Sequence, residues 1–258
     1  MDALTAARGI LEANRRGQEI VSVLLSEGAH AGARVLVDAQ GTLDGSFDDE
    51  LLDRTAVHLA MHVYQSRSAA VADSLFAELH TAPEALVIFG AGHIAVPLAD
   101  LGVKLGFSVT VLDDRTEFAA QTRFHPLAHV HVLDYTEPLR DVQITPHTYL
   151  VLVTRAHKYD FDCLRAVLQH DVQPRYIGMI GSRRRVRAAF SALLEGGVSQ
   201  EQLGAVHAPI GIDIGAETPP EIAVSIAAEL IRVRRGGSGQ SLHAAERVAE
   251  RFFTGPNP

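Results

Sequence analysis

Between Ala85 and Arg235 the chain alternates short, continuously apolar runs with stretches of helical periodicity, and this alternation constrains its fold more than any other feature. ALVIFGAG is followed by the helical pattern HIAVPLADLGVKLGF, and SVTVLDD is a second apolar run. HTYLVLVTR and RYIGMIGS are further runs, each followed by another helical pattern. Runs that are apolar at consecutive rather than alternate positions read as strands buried on both faces. Strands joined through helices form a parallel sheet covered on both sides. Pro97 falls in the first turn of its helix, where a missing amide proton is tolerated. The expected fold is α/β, a Rossmann-like parallel sheet with helices on both faces.

Before Thr81-Ala82-Pro83 the texture differs. MDALTAARGILEANRRG reads as a short amphipathic helix, and EIVSVLLSEG and ARVLVDAQGTLDGSF read as short strands, with a hairpin turn at Gln40-Gly41. FDDELLDRTAVHLAMHVYQSRSAAVADSLFAEL carries apolar residues at helical spacing, with acids at its start where the helix dipole favours them. The expected organisation is a small α+β N-terminal domain over residues 1–82, a Rossmann-like ligand-binding domain over 83–235, and a Gly-Ser linker with a helical tail over 236–258.

The first glycine loop gives the sheet a chemistry. Gly90-x-Gly92-x-x-Ala95 stands directly after a strand and opens a helix, and Asp113 ends the next strand about twenty residues on, the spacing of a dinucleotide-binding turn. Gly90 permits the tight turn, Gly92 lets backbone approach a pyrophosphate, and Ala95 lets the helix pack closely on the strand. The free amides at the helix N-terminus then face the anion. Asp113 would accept hydrogen bonds from ribose hydroxyls and repel a 2'-phosphate, whereas Arg115 two residues later would attract one. His93 either donates to a phosphate or packs over the turn. A glycine turn kept only for packing is the plainer reading.

The second feature is YIGMIGSRRR, with three consecutive arginines ending an apolar run in a chain of formal net charge −8. Gly181 gives a sharp exit, Ser182 is a helix N-cap, and Arg183, Arg184, Arg185 and Arg187 occupy the following turn. Positive charge there opposes the helix dipole by about 0.3–1 kcal/mol per residue. Two readings explain why it is kept: an anion held by the Gly181 and Ser182 amides with Arg183 and Arg184 around it, or a surface helix salt-bridged to the chain's many acids. In VTRAHKYDFD, Thr154, Arg155, His157 and Asp160 follow a strand. Asp160 reads as the cap of the helix FDCLRAVLQH, and His157 with Asp160 is a weak catalytic candidate. Cys163 reads as a packed small side chain. In HAPIGIDIGAETPPEIAVSIAAEL, Gly211 and Asp213 punctuate either a ligand wall or a tight structural turn. Thr218, Pro219 and Glu221 form a capping box.

Composition excludes several classes. No apolar run is long enough to span a bilayer, and the N-terminus lacks the pattern of a signal peptide, so a cytoplasmic protein with no membrane association is expected. One cysteine rules out an internal disulfide and a cysteine-rich metal site. The acidic balance argues against nucleic acid as a partner. His58 and His62 sit one helical turn apart without a third ligand, and no metal is expected there.

Gly90-Ala-Gly92-His93, Asp113-Asp114-Arg115, YIGMIGSRRR and HAPIGIDIGAETPPEIAVSIAAEL occur in the order seen in the xanthine dehydrogenase accessory proteins, the XdhC/CoxI family, which the chain resembles over about residues 83–234. The resemblance implies a Rossmann-type domain and a maturation role for molybdenum hydroxylases such as xanthine or carbon monoxide dehydrogenase. The family's role is to bind molybdenum cofactor, or its cytosine dinucleotide, and to assist its sulfuration and insertion. Implied partners are the apo-hydroxylase, a cysteine desulfurase and a second copy of the chain. The N-terminal region departs from the pattern. It has no Ser-Pro-Arg and no Gly-Gly-Cys, and GTLDGSFDDELLD keeps Gly45-Ser46 but carries acids and no cysteine. The alternatives are an NAD(P)-dependent oxidoreductase with His157 as proton donor, and a Rossmann interaction module without a ligand.

Overall fold

The computed structural model describes residues 1–82 and 84–242, with His157 described by its backbone alone. The expected C-terminal tail, from residue 243 on, lies outside the described residues.

The N-terminal part opens with α1 (Ala3–Arg15), capped by Asp2, whose carboxylate accepts from the Thr5 amide at 2.8 Å. The strands β1 (Ile20–Leu25), β2 (Arg34–Val37) and β3 (Leu43–Asp44) follow. The turn into β3 forms at Gln40-Gly41, where the Asp38 carboxylate accepts from the Gln40 and Thr42 amides and Gly41 adopts φ +81°. Then come α2 (Glu50–Ser66), β4 (Ala70–Ala72) and β5 (Leu75–His80), and the sheet order is β3-β2-β1-β5-β4, antiparallel throughout. Val21, Val23, Val35 and Val37 pack against Ala56, Ala60 and Val63 of α2 in one buried cluster. The alternation of these valines across the pleat defines the buried face.

The helical spacing read through Leu79 is corrected here. The helix stops at Ser66, Arg67 turns left-handed at φ +58°, and residues 70–80 form the β4–β5 hairpin. The deciding interaction is nonlocal, because β5 pairs with β1 along six residues from Ile20↔His80 to Leu25↔Leu75.

From residue 85 the expected α/β pattern holds. The strands are β6 (Ala85–Phe89), β7 (Ser108–Asp113), β8 (His129–Val132), β9 (Thr148–Leu152), β10 (Tyr176–Met179) and β11 (Val206–His207). They form one parallel sheet of order β11-β10-β9-β6-β7-β8. Counted from β6 this is the doubly wound order 3-2-1-4-5-6. The helices are α3 (Ala95–Lys104), α4 (His157–Leu168), α5 (Arg183–Glu195), α6 (Gln200–Gly204) and α7 (Pro219–Arg235). Alternate residues of each buried strand feed two cores. Leu86, Ile88, Val109 and Val151 face Leu98 of α3 and Ile226 and Leu230 of α7. Val87, Phe89, Leu150, Leu152 and Met179 face Leu164 of α4, Val186 of α5 and Leu203 of α6. Burial on both faces explains why these strands have no polar alternation.

Candidate functional site

A parallel sheet sends all its strands out on one rim, so the turns after β6, β9 and β10 lie side by side there. The crevice of such a sheet opens where the strand order reverses, between β6 and β9. The Gly90 and Ser182 turns therefore share a rim, two strand spacings or about 10 Å apart along the sheet. Their helices α3 and α5 cover opposite faces.

Gly90 adopts φ +106°, and its amide donates to the Leu112 carbonyl at 2.6 Å. A Cβ at Gly90 would collide with the backbone of Val153 and Thr154, so this glycine serves the close approach of the β6 and β9 turns. A Cβ at Gly92 would meet nothing within 4 Å, which leaves room above that turn. Ala95 is fully buried beneath it, as its packing role requires. The Ile94 cap supplies no side-chain acceptor, and the amides of Gly92, His93 and Ile94 find none among the described residues. His93 is exposed and has no hydrogen-bond partner among the described residues.

Asp113 is fully buried, and the chain itself occupies both its oxygens. They accept from the Ala91 amide at 2.7 Å, the Arg115 amide at 3.0 Å, and Arg115 Nε and Nη2 at 2.9 and 3.0 Å. Burial pushes this carboxyl up, but the hydrogen bonds from Arg115 and Ala91 more than reverse it and hold it below the usual carboxylate range. Arg115 stacks on Phe118, its guanidinium carbon 3.5 Å from the ring centroid. A ribose would have to displace Arg115 to reach Asp113.

The β9 turn is also tied to its neighbours. Asp160 does not cap its helix: Ala156 is the N-cap, and helical structure begins at His157, three residues before Asp160. Asp160 lies inside the first turn, where its Oδ1 accepts from the Thr154 amide at 3.1 Å and stands 2.7 Å from Thr154 Oγ1. Arg155 crosses to the β7 turn and pairs with Asp114 at 2.6 Å, spanning the end of β6. Tyr159 and Tyr135 stack with ring centroids 3.9 Å apart. Asp114 Oδ1 and Tyr135 Oη are buried and lack hydrogen-bond partners among the described residues. The sequence places Asp114 in the Asp113-Asp114-Arg115 motif without giving it a role, and it gives none to Tyr135 or Tyr159. The available signal was position, since Asp114 and Tyr135 follow the ends of β7 and β8. The His157 side chain lies outside the described residues, and with it its pairing with Asp160. Cys163 is buried, and burial pushes its thiol up to about 12, in keeping with a packed side chain.

At α5 the Ser182 hydroxyl accepts from the Arg185 amide at 3.4 Å, while the amides of Gly181, Ser182, Arg183 and Arg184 have no acceptor among the described residues. Arg183, Arg184, Arg185 and Arg187 are exposed, and none pairs with a carboxylate among the described residues. Among the described residues these arginines form no salt-bridged surface helix.

The loop after β11 is a tight structural turn. Gly211 adopts φ +102° against Ser225, and its amide donates to Glu229 Oε2 at 2.8 Å. The same carboxylate accepts from the Tyr176 hydroxyl at 2.6 Å and lies 3.1 Å from His207 Nδ1. Burial pushes Glu229 up, and the bonds from His207, Tyr176 and Gly211 overcome this, setting it at about 2. Asp213 is exposed and accepts only from the Gly215 amide, at 3.4 Å. At Thr218 the expected capping box is present, with Glu221 Oε2 accepting from the Glu217 and Thr218 amides at 2.9 Å.

The XdhC Rossmann domain family matches residues 86–230, the whole of the parallel sheet and its helices except the first residue of β6 and the end of α7. The chain belongs to the XdhC family. It is 27% identical over 227 residues to the uncharacterized protein YqeB of Escherichia coli K12, covering 80% of this chain and 41% of that protein. It is 35% identical over 151 residues to a protein of Bacillus subtilis 168 described as a probable xanthine dehydrogenase component, covering 58% of this chain and 43% of that one. The chain thus spans about two fifths of the length of these relatives. A crystal structure described as a xanthine dehydrogenase from Bacillus halodurans superposes with a TM-score of 0.64 at 23% identity, over 93% of this chain and 67% of that one, and shares the fold. Within the XdhC frame, the departing Gly45-Ser46 loop is closed by its own acids. Asp53 accepts from Ser46 Oγ at 2.7 Å and the Phe47 amide at 2.8 Å, and Asp49 caps α2. Among the described residues no helix is long and apolar enough to cross a membrane.

Proposed function

We propose that this XdhC-family chain is an accessory protein of a molybdenum hydroxylase. It would hold a phosphorylated cofactor of the molybdopterin class on the carboxyl rim for sulfuration and delivery. The supporting observation is the pair of open helix ends, α3 and α5, the second surrounded by unpaired guanidinium groups. Amides aimed at an anion and arginines beside it are the ordinary chemistry of phosphate capture. The residues also fit the rest of such a ligand. The unsatisfied Asp114 Oδ1 and Tyr135 Oη offer hydrogen bonds to the polar edge of a pterin or base once Arg155 turns from Asp114 to the phosphate. In this reading Gly90 and Gly211 shape their turns, and ligand contact is assigned to Gly92, His93, Thr154, Arg155, Gly181, Ser182, Arg183 and Arg184.

The names of the Bacillus relatives support a xanthine dehydrogenase-type hydroxylase as client. A cysteine desulfurase and a second copy of the chain complete the proposed partners. The nicotinamide oxidoreductase reading draws support from the strand order and the glycine turn, but Arg115 holds the carboxylate a ribose would use. A thermal-shift screen against NAD, NADP, AMP and molybdopterin tests the assignment. A ligand at a hundredfold excess over Kd stabilises by about 2.7 kcal/mol. Stabilisation by molybdopterin that is lost in Arg183→Ala/Arg184→Ala supports the reading. Stabilisation by NAD alone refutes it.

A further inference from the structure

A large cleft lies away from the carboxyl rim. It has a volume of about 920 Å³ and lies at the opposite edge of the parallel sheet, where the antiparallel sheet meets it. Its walls include Glu19 before β1, Arg67 after α2, Glu84 before β6, His147 before β9, Arg175 before β10, and Arg234 and Arg235 at the end of α7.

Its charges fall into two sets. Two arginines are fixed and neutralised. Arg67 pairs with Glu19 through two bonds of 2.6 Å. Arg234 pairs with Glu84, donates to the Leu105 carbonyl at 2.9 Å, and lies 3.7 Å over the Phe107 ring. Arg175 and Arg235 are exposed, and neither side chain has a partner among the described residues. His147 is half-buried, and its ring is likewise unpartnered among them. These groups converge: His147 and Arg175 both act on the Glu19 carboxyl, and Arg175 and Arg234 both act on the Tyr149 phenol. Two carboxylates against four guanidinium groups leave the cleft with an excess of two positive charges (4 − 2), in a chain of net charge −8. The helix dipole accounts for Arg235 in the last turn of α7. It does not account for Arg175, which precedes a strand.

We propose that this cleft is a second anion site, which takes a small, multiply charged oxyanion between Arg175 and Arg235, with His147 as a further donor. Arg67 and Arg234, held by Glu19 and Glu84, form its fixed walls. All three donors belong to the Rossmann part, and the antiparallel part contributes the Glu19–Arg67 wall. The site is separate from the rim, and the proposal stands or falls independently of the cofactor reading.

Calorimetric titration of the full chain with inorganic pyrophosphate and, separately, with citrate tests it. At least one of the two binds the wild type, and the tighter one identifies the oxyanion as phosphoryl or polycarboxylate. Arg175→Ala/Arg235→Ala weakens this binding by about tenfold or more, while Arg175→Lys/Arg235→Lys stays within a few-fold of wild type. Arg183→Ala/Arg184→Ala leaves binding in the cleft intact and affects only binding at the rim. Because neither Arg175 nor Arg235 has a side-chain hydrogen-bond or ion-pair partner among the described residues, the unliganded stability of these variants stays within about 1 kcal/mol of wild type, the size of the dipole interaction that Arg235 gives up. Three results overturn the proposal: no binding of either anion, binding unchanged in Arg175→Ala/Arg235→Ala, or binding removed only by Arg183→Ala/Arg184→Ala.

Discussion

The N-termini of α5 and α7 sit on the same rim and treat the same electrostatic problem in opposite ways. At α7 the exposed amides are closed by the chain's own carboxylate, Glu221, in a capping box over Pro219. At α5 the amides stay open, and the residues around them are arginines that oppose the dipole. The α4 end resembles α7, with Asp160 in its first turn bound to Thr154. The α3 end resembles α5 in having no acid in its first turn. A helix end that serves only the fold is best closed by an acid, so the two left open mark where an external anion belongs.

The largest effect is expected on the closed side. Glu229→Ala strands the Tyr176 hydroxyl in the core, leaves the half-buried Gly211 amide without its acceptor and releases the loop leading to α7. We expect a loss of about 3 kcal/mol in chemical denaturation. The pH dependence has the same origin. Glu229 titrates at about 2 when folded, against 4.5 when free, so its contribution is complete above about 4.5 and disappears as pH falls from there toward 2. Wild-type stability should decline across that window, and the Glu229→Ala variant should show a flatter profile.

On the open side the signature is a split between binding and stability. Arg183→Ala/Arg184→Ala should weaken cofactor binding by about a hundredfold, close to 2.7 kcal/mol. It should leave the melting temperature unchanged or raise it, because two charges that oppose the dipole are removed. A parallel fall in both would mean that the arginines are structural. Glu221→Ala should do the converse, costing about 1 kcal/mol of stability with no change in affinity. The smallest effect comes from making the two ends alike. Arg185→Glu creates on α5 a Ser-x-x-Glu box, the counterpart of the Thr218–Glu221 box of α7. It should stabilise the chain by about 0.5–1 kcal/mol in thermal denaturation while excluding the anion.

Much of this was legible in the sequence, for reasons that differ by element. The strands of the parallel sheet are buried on both faces, so their apolar runs needed no partner to be recognised, and Ser182 and Thr218 announce their helices by local capping chemistry. The β4–β5 hairpin was not legible, because Ala70, Ala72, Ala77 and Leu79 satisfy helical and strand spacing alike and pairing with β1 decides between them. The Gly90 turn was visible, but its purpose was not. The collision it avoids is with Val153, just past the end of β9 and more than sixty residues away. Asp113 matched the spacing of a ribose-binding acid, and only the structure shows Arg115 folded back onto it. The Arg155–Asp114 bridge joins residues 41 apart across the end of β6, a contact no local pattern encodes.

The most direct test is an amide-resolved NMR titration of the full chain with molybdopterin. Shifts concentrated at the amides of Gly92, His93, Arg183 and Arg184, with that of Thr218 at the acid-capped α7 end unmoved, are the predicted result. Shifts at the closed ends instead, or none on this rim at a concentration that saturates binding, would contradict it.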